Sequence, residues 1–131
     1  MEMQKGIPQM YKIEFYRDKD GNEPIAEYIR DLNAKAVTSK EHRICHKKLI
    51  EYMEVLSQYG TRAGKPYLDH IHGDIWELRP TNDRVFFFYW KDNAFLMLHH
   101  FIKKTQKTPA REIERAKRNL KDFLERSEND G

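Results

Sequence analysis

The sequence predicts an α+β fold: a small antiparallel β-sheet, made of a C-terminal three-strand meander plus an N-terminal strand, packed against N-terminal helices and followed by a C-terminal helix. Three observations carry this expectation. Apolar and polar residues alternate near the N-terminus, short turn clusters separate three apolar runs between Ile75 and Ile102, and three further segments repeat apolar residues at helical spacing.

Tyr11, Ile13 and Phe15 alternate with Lys12, Glu14 and Tyr16, the period of a half-buried strand, and Asp18-Lys19-Asp20-Gly21-Asn22 ends it. Pro24 suits a first helical turn, where its missing N–H costs nothing, and Ile25, Tyr28, Ile29 and Leu32 share one face of a helix reaching about Leu32. Thr38 and Glu41 have capping-box spacing ahead of Cys45, Leu49, Tyr52, Met53, Leu56 and Tyr59, with Gly60 placed to end that helix. Gly64, Pro66 and Gly73 make Thr61 to Gly73 an expected irregular connection.

Strands follow at Ile75 to Pro80, Val85 to Trp90 and Phe95 to Ile102. The clusters Thr81-Asn82-Asp83 and Lys91-Asp92-Asn93 are long enough only for hairpins, so both pairings are antiparallel. The middle strand is apolar on both faces and needs cover on each side. Thr108 and Pro109 open the last helix, whose stripe is Ile113, Ala116, Leu120, Phe123 and Leu124; Ser127 to Gly131 read as a frayed tail.

The 131 residues suit one domain, 1–131. Charged residues make up 34% of the chain, yet 24 Lys and Arg against 21 Asp and Glu leave only +3, so distribution decides more than total charge. Lys103, Lys104 and Lys107 stand in a stretch without acids, whereas Asp18, Asp20, Glu23, Glu27 and Asp31 gather early, a pattern that predicts one cationic face. A lone Cys allows no intramolecular disulfide, Met1 to Met10 lacks the apolar run of a signal peptide, and the longest apolar stretch, Ala94 to Ile102, is too short to span a bilayer. A cytoplasmic protein without membrane contact is expected.

In a meander, the end of the first strand, the start of the second and the end of the third meet at one sheet edge. Arg79, Arg84, Lys103, Lys104 and Lys107 therefore converge. Which faces they share depends on the loop: a four-residue loop Pro80 to Asp83 pairs Arg79 with Arg84, and a three-residue loop opposes them. Such a cluster is either a solvated rim or a site for phosphodiester chemistry. Cleavage of RNA by its own 2′-hydroxyl needs a base, cations for the charge growing on phosphate and an acid for the departing 5′-oxygen. Arg suits the charge role, and Lys among like charges suits proton transfer.

His42 with His46, His70 with His72, and His99 with His100 lack the carboxylate or Cys partners of a metal signature, so neither metal nor cofactor is expected. One of His99 and His100 must face the cationic side, and His100 is a candidate RNA contact. Tyr67, in a loop with Lys65 and His70, is the aromatic best placed to stack on a base; Trp76 and Phe88 read as core.

Ile75-Trp76-Glu77-Leu78-Arg79, Arg84 opening an aromatic strand, and Phe101-Ile102-Lys103-Lys104-Thr105-Gln106-Lys107-Thr108-Pro109 leading to Glu112-Ile113-Glu114-Arg115-Ala116 resemble the phage-derived Gp49-like branch of HigB toxins in the RelE/ParE superfamily. The likeness runs from Tyr11 to about Lys121. It implies a RelE-like fold, the toxin of a type II toxin-antitoxin pair, ribosome-dependent cleavage of mRNA without cofactor, and a helix-turn-helix antitoxin of the HigA kind as partner. By position it assigns catalytic roles to Arg84 and Lys104, with Arg79 and Lys103 as their neighbours in the same motifs; Lys107 or a His is a candidate substitute in proton transfer. The classical pattern has a Tyr shortly after the last strand where this chain has Thr108-Pro109-Ala110, which leaves the proton-transfer group unassigned. Two other readings of the same fold are a ParE-like binder of DNA gyrase and a phage remnant that binds without catalysis.

Overall fold

In a computed structural model of the protein, residues 10–130 are described; the remainder of the segment read for a signal peptide, and Gly131 of the tail, lie outside the described residues. The elements in chain order are β1 (Lys12–Phe15), α1 (Pro24–Lys35), α2 (Lys40–Tyr59), a 3-10 turn (Gly60–Ala63), β2 (Leu68–His72), β3 (Ile75–Leu78), β4 (Asp83–Tyr89), β5 (Ala94–Ile102) and α3 (Ala110–Asp130). The α+β class holds, with five strands in one open mixed sheet of order β1-β5-β4-β3-β2.

Four expectations need correction. The N-terminal strand joins the sheet in parallel, with Lys12 opposite Ala94 and Phe15 opposite Met97. Tight turns dictate antiparallel pairing only for the strands they join, and β1 reaches β5 through two helices and three other strands. The supposed irregular connection contains β2, paired antiparallel with β3 from Leu68–Leu78 to His72–Ile75. Gly73, with φ of 55°, is the first of the two residues linking them, and the polar side chains that disguised β2 are tolerated because it is an edge strand. The cap of α2 is Ser39 rather than Thr38, its Oγ accepting from the His42 N–H at 3.3 Å. Finally, α3 continues through the expected tail to Asp130, where Arg126 pairs with Asp122 at 2.8 Å and also donates to the Arg17 carbonyl.

Two cores sandwich the sheet. Val85, Phe87, Phe95, Met97 and Leu78 pack with Ile25 and Leu32 of α1 and Leu49, Met53 and Leu56 of α2. On the opposite face, Phe86, Phe88, Leu96, Leu98 and Phe101 pack against Ala116, Ile113, Leu120 and Phe123 of α3. Among the described residues no helix is long and apolar enough to cross a membrane.

A bulge in β5 decides which side chains reach which face. Phe86 lies opposite His99 but Phe87 lies opposite Met97, so Leu98 is the extra residue. Before the bulge Phe95 and Met97 face the α1–α2 core; after it His99 and Phe101 face α3, and His100 turns to α1, stacked 3.8 Å from the Tyr28 ring.

Gly60 ends α2 at φ 64° and ψ −156°, a region that glycine alone occupies readily. A Cβ there would lie 2.8 Å from the Tyr11 ring, itself packed between Tyr89 and Phe95. Gly60→Ala is expected to lower unfolding free energy by at least about 1–3 kcal/mol, read from a lower urea midpoint; an unchanged midpoint would show that the backbone relaxes freely.

Candidate functional site

The pairing of β3 with β4 runs to Leu78 opposite Val85, and beyond it the Arg79 and Arg84 side chains turn to the same side, each facing Glu77, as the longer, four-residue loop predicts. Asp83 N–H donates to the Pro80 carbonyl at 2.9 Å, and Lys103 N–H donates to the Asn82 carbonyl at 2.8 Å, which ties this turn to the end of β5. Beside it opens a cavity of about 430 Å³ lined by Asn82, Arg84, Lys103, Lys104, Thr105 and Gln106. Its wall has three cationic residues and no acid. Residues from two strand ends thus make one cleft fit for a phosphate.

Arg84 is more constrained than its residue type suggests. Its Nη1 donates to the carbonyls of Thr81 at 2.8 Å and Asp83 at 2.9 Å, and its side chain is only 11% exposed. Thr81 sits at φ 44°, costly for a β-branched residue, and the Arg84 bond helps hold it there. Nη1 is committed to the turn, while Nε and Nη2 have no hydrogen-bond partner among the described residues. Lys104 is exposed and Lys103 half-buried, and neither pairs with a described acid.

Beneath the cleft lies Glu77, which sequence reasoning passed over. It is 2% exposed, with Oε1 3.6 Å from Arg79 Nε and Oε2 4.0 Å from Arg84 Nε. Neither Glu77 Oε2 nor Arg84 Nε has a hydrogen-bond partner. Burial raises the Glu77 carboxyl above the usual range, against the opposing pull of Arg84, Arg79 and Lys103. Burial likewise lowers the Arg84 guanidinium while Glu77 pulls it back. One signal in the sequence was available: Glu77 is the one charged residue within Ile75-Trp76-Glu77-Leu78, a strand otherwise suited to the core.

The other candidate residues are dispersed. Arg79 adjoins the cleft through Glu77 but does not line it, and it also faces Asp69 at 3.8 Å. Lys107 lies in the loop before α3, its carbonyl accepting from Thr105. Lys65 is exposed near Asp69, and Tyr67 packs edge-on against Tyr52 with its carbonyl receiving the Arg79 N–H. His70 closes the β2–β3 hairpin, its Nε2 lying 2.6 Å from the Gly73 carbonyl. These three belong to the β2 edge, away from the cleft.

His100 lies on the face opposite Glu77, with Nε2 2.9 Å from Asp83 Oδ1, an oxygen that also accepts from Tyr28 at 2.7 Å. His99 is the histidine on the α3 side, 2.7 Å from Glu112 Oε1; burial lowers its imidazole below the usual value, opposed by Glu112. Among the described residues no group of three or more His, Cys, Asp or Glu could hold a metal ion.

The family described as "Phage derived protein Gp49-like (DUF891)" matches residues 27–121. No curated protein matches the chain.

The raised Glu77 carboxyl makes a signed prediction. A carboxyl whose folded value exceeds its unfolded one contributes stability that is complete below the unfolded value and lost as pH rises through the folded value. Arg79 and Arg84 stay charged throughout. As pH rises above the unfolded carboxyl value, about 4.3, the wild type should therefore lose stability relative to Glu77→Gln, measured by chemical denaturation; a difference independent of pH would refute the burial argument.

Proposed function

Because the chain belongs to the phage-derived Gp49-like family, whose match spans residues 27–121, we propose that it is the toxin of a type II toxin-antitoxin pair, with a RelE-like fold, and that it cleaves mRNA on the ribosome. The observation that carries this reading is the cleft that joins Arg84 to Lys103 and Lys104 with no acid in its wall.

The chemistry asked of the cleft is modest. The 2′-oxygen of the substrate attacks the adjoining phosphorus as its proton passes to a solvent water, the bond to the 5′-oxygen breaks, and that oxygen takes a proton. Arg84 and the two lysines lower the energy of the extra charge on phosphate, which grows toward the transition state. An ammonium of Lys103 or Lys104 is a donor for the departing oxygen. Arg79 and Glu77 act one layer deeper: Glu77 is too buried to touch RNA and serves to position both guanidinium groups. No cofactor enters this scheme. The proposed partner is a helix-turn-helix antitoxin of the HigA kind, and the site of action is the cytoplasm.

A fold of this class also serves the gyrase-binding reading, and a purely binding remnant would use the same cations for salt-dependent affinity. The cleft favours RNA because Arg84, Lys103 and Lys104 line one opening without an acid, able to hold a phosphate.

Expression should arrest growth and cut translated mRNA, visible as new transcript 5′ ends. Lys103→Ala with Lys104→Ala should keep the thermal midpoint, since neither side chain is core, and reduce cutting by about 10²-fold. Arg84→Ala should also destabilise, because it removes one of the two guanidinium groups facing the buried Glu77 and the two hydrogen bonds that hold the Thr81–Asp83 turn. Intact transcripts in arrested cells would refute the reading, and DNA damage with unchanged mRNA would favour gyrase.

A further inference from the structure

We infer that the cavity on the far side of the Pro80–Asp83 turn is the base-recognition subsite for the nucleotide whose phosphate occupies the cationic cleft, and that it selects a base with an exocyclic amino group. The inference rests on the RNA-cleaving reading and adds what that reading lacks, a source of sequence preference.

This cavity, about 330 Å³, is bounded by α1, α2 and the turn, and its lining includes Tyr28, Asp31, Glu41, Asn82, Asp83 and Ile102. Its size falls within the range of small-ligand clefts, about 300–1,000 Å³. Asn82 lines both this cavity and the cationic cleft, so the two adjoin at that residue. In the proposed subsite, a nucleotide held by its phosphate beside Arg84 reaches past Asn82 with its base.

The two cavities differ in character: this one has Lys35 and His42 in its lining but, unlike the cleft, also three acids. Asp31, Glu41 and Asp83 contribute carboxylates here, which disfavour a second phosphate. Asp31 shares Lys35 at 3.0 Å, whereas Glu41 pairs with no described cation. Asp83 is 3% exposed, and its Oδ1 takes both Tyr28 and His100 while Oδ2 has no partner. A buried acceptor without a donor costs free energy until a donor arrives. Carboxylate and amide oxygens accept from the amino groups of cytosine and adenine, and single-stranded RNA is commonly read on such base edges. Guanine also carries an amino group; uracil has none and presents carbonyl oxygens that the carboxylates repel. The exposed side chain of Ile102, on the strand leading into Lys103, adds an apolar surface for the ring. A basic side chain of a partner protein would satisfy the same acceptors, but the shared Asn82 wall favours the RNA already placed in the cleft.

The test maps transcript 5′ ends after expression of the full chain and of the double variant Asp31→Ala, Glu41→Ala, which removes the acceptor oxygens at two positions that are exposed and outside the cationic cleft. Wild type should cut with a bias against uracil at one fixed position beside the scissile bond. In the variant that bias should be reduced by about tenfold. A bias that survives the substitutions, or a wild type that accepts uracil equally, overturns the subsite while leaving RNA cleavage standing. Weaker binding of an arginine-rich peptide by the variant, with bias unchanged, overturns it in favour of a protein partner. A wild type that cuts no RNA removes the cleavage reading and this subsite with it.

Discussion

Val85, Phe86, Phe87 and Phe88 are each at most 5% exposed, so β4 requires an apolar cover on both faces. Burying each such side chain contributes about 1.5–3 kcal/mol, and four in succession make this strand the constraint on which the architecture depends. Helices α1 and α2 cover Val85 and Phe87, and α3 covers Phe86 and Phe88. Because α3 begins only at Ala110, the segment leaving β5 crosses the sheet end before any helix starts. That end is where the cationic cleft forms.

The polar groups at this end are organised in depth. Arg84 is gripped by two carbonyls of its own turn, Asp83 by Tyr28 and His100, and the turn by the Lys103 N–H. The Thr81–Asp83 segment is therefore connected to α1, β4 and β5 at once, and Thr81 can be held in the left-handed region. Glu77 carries an electrostatic cost, since a carboxylate removed from water is compensated only partly by guanidinium groups at 3.6 and 4.0 Å. Such a layer trades stability for a fixed orientation of two arginines, which is useful where charge must be met without reorganisation.

The α+β class, the meander and both hairpin turns were legible in the residues because each depends on local chemistry: period-two alternation, short turns and helical stripes. The convergence of Arg84, Lys103 and Lys104 was legible for the same reason, since short antiparallel links bring those strand ends together. The β2 strand was hidden because an edge tolerates Asp69, His70 and His72, which imitate a loop. The parallel direction of β1 was hidden because no turn joins it to β5.

What the sequence determined by itself was the set of strands between Ile75 and Ile102 and the cluster at their shared end, because pairing through short turns leaves one arrangement. Only tertiary structure decided which charges share a face. The bulge at Leu98 shifts the parity of β5, sending His99 and Phe101 toward α3 and His100 to Asp83 beneath Tyr28. A one-residue shift reverses side-chain direction in any strand, and whether it occurs depends on packing against both helical layers rather than on the strand's own residues. The same dependence hides Glu77: its importance comes from Arg79, Arg84 and the burial that surrounds all three, which no local pattern encodes.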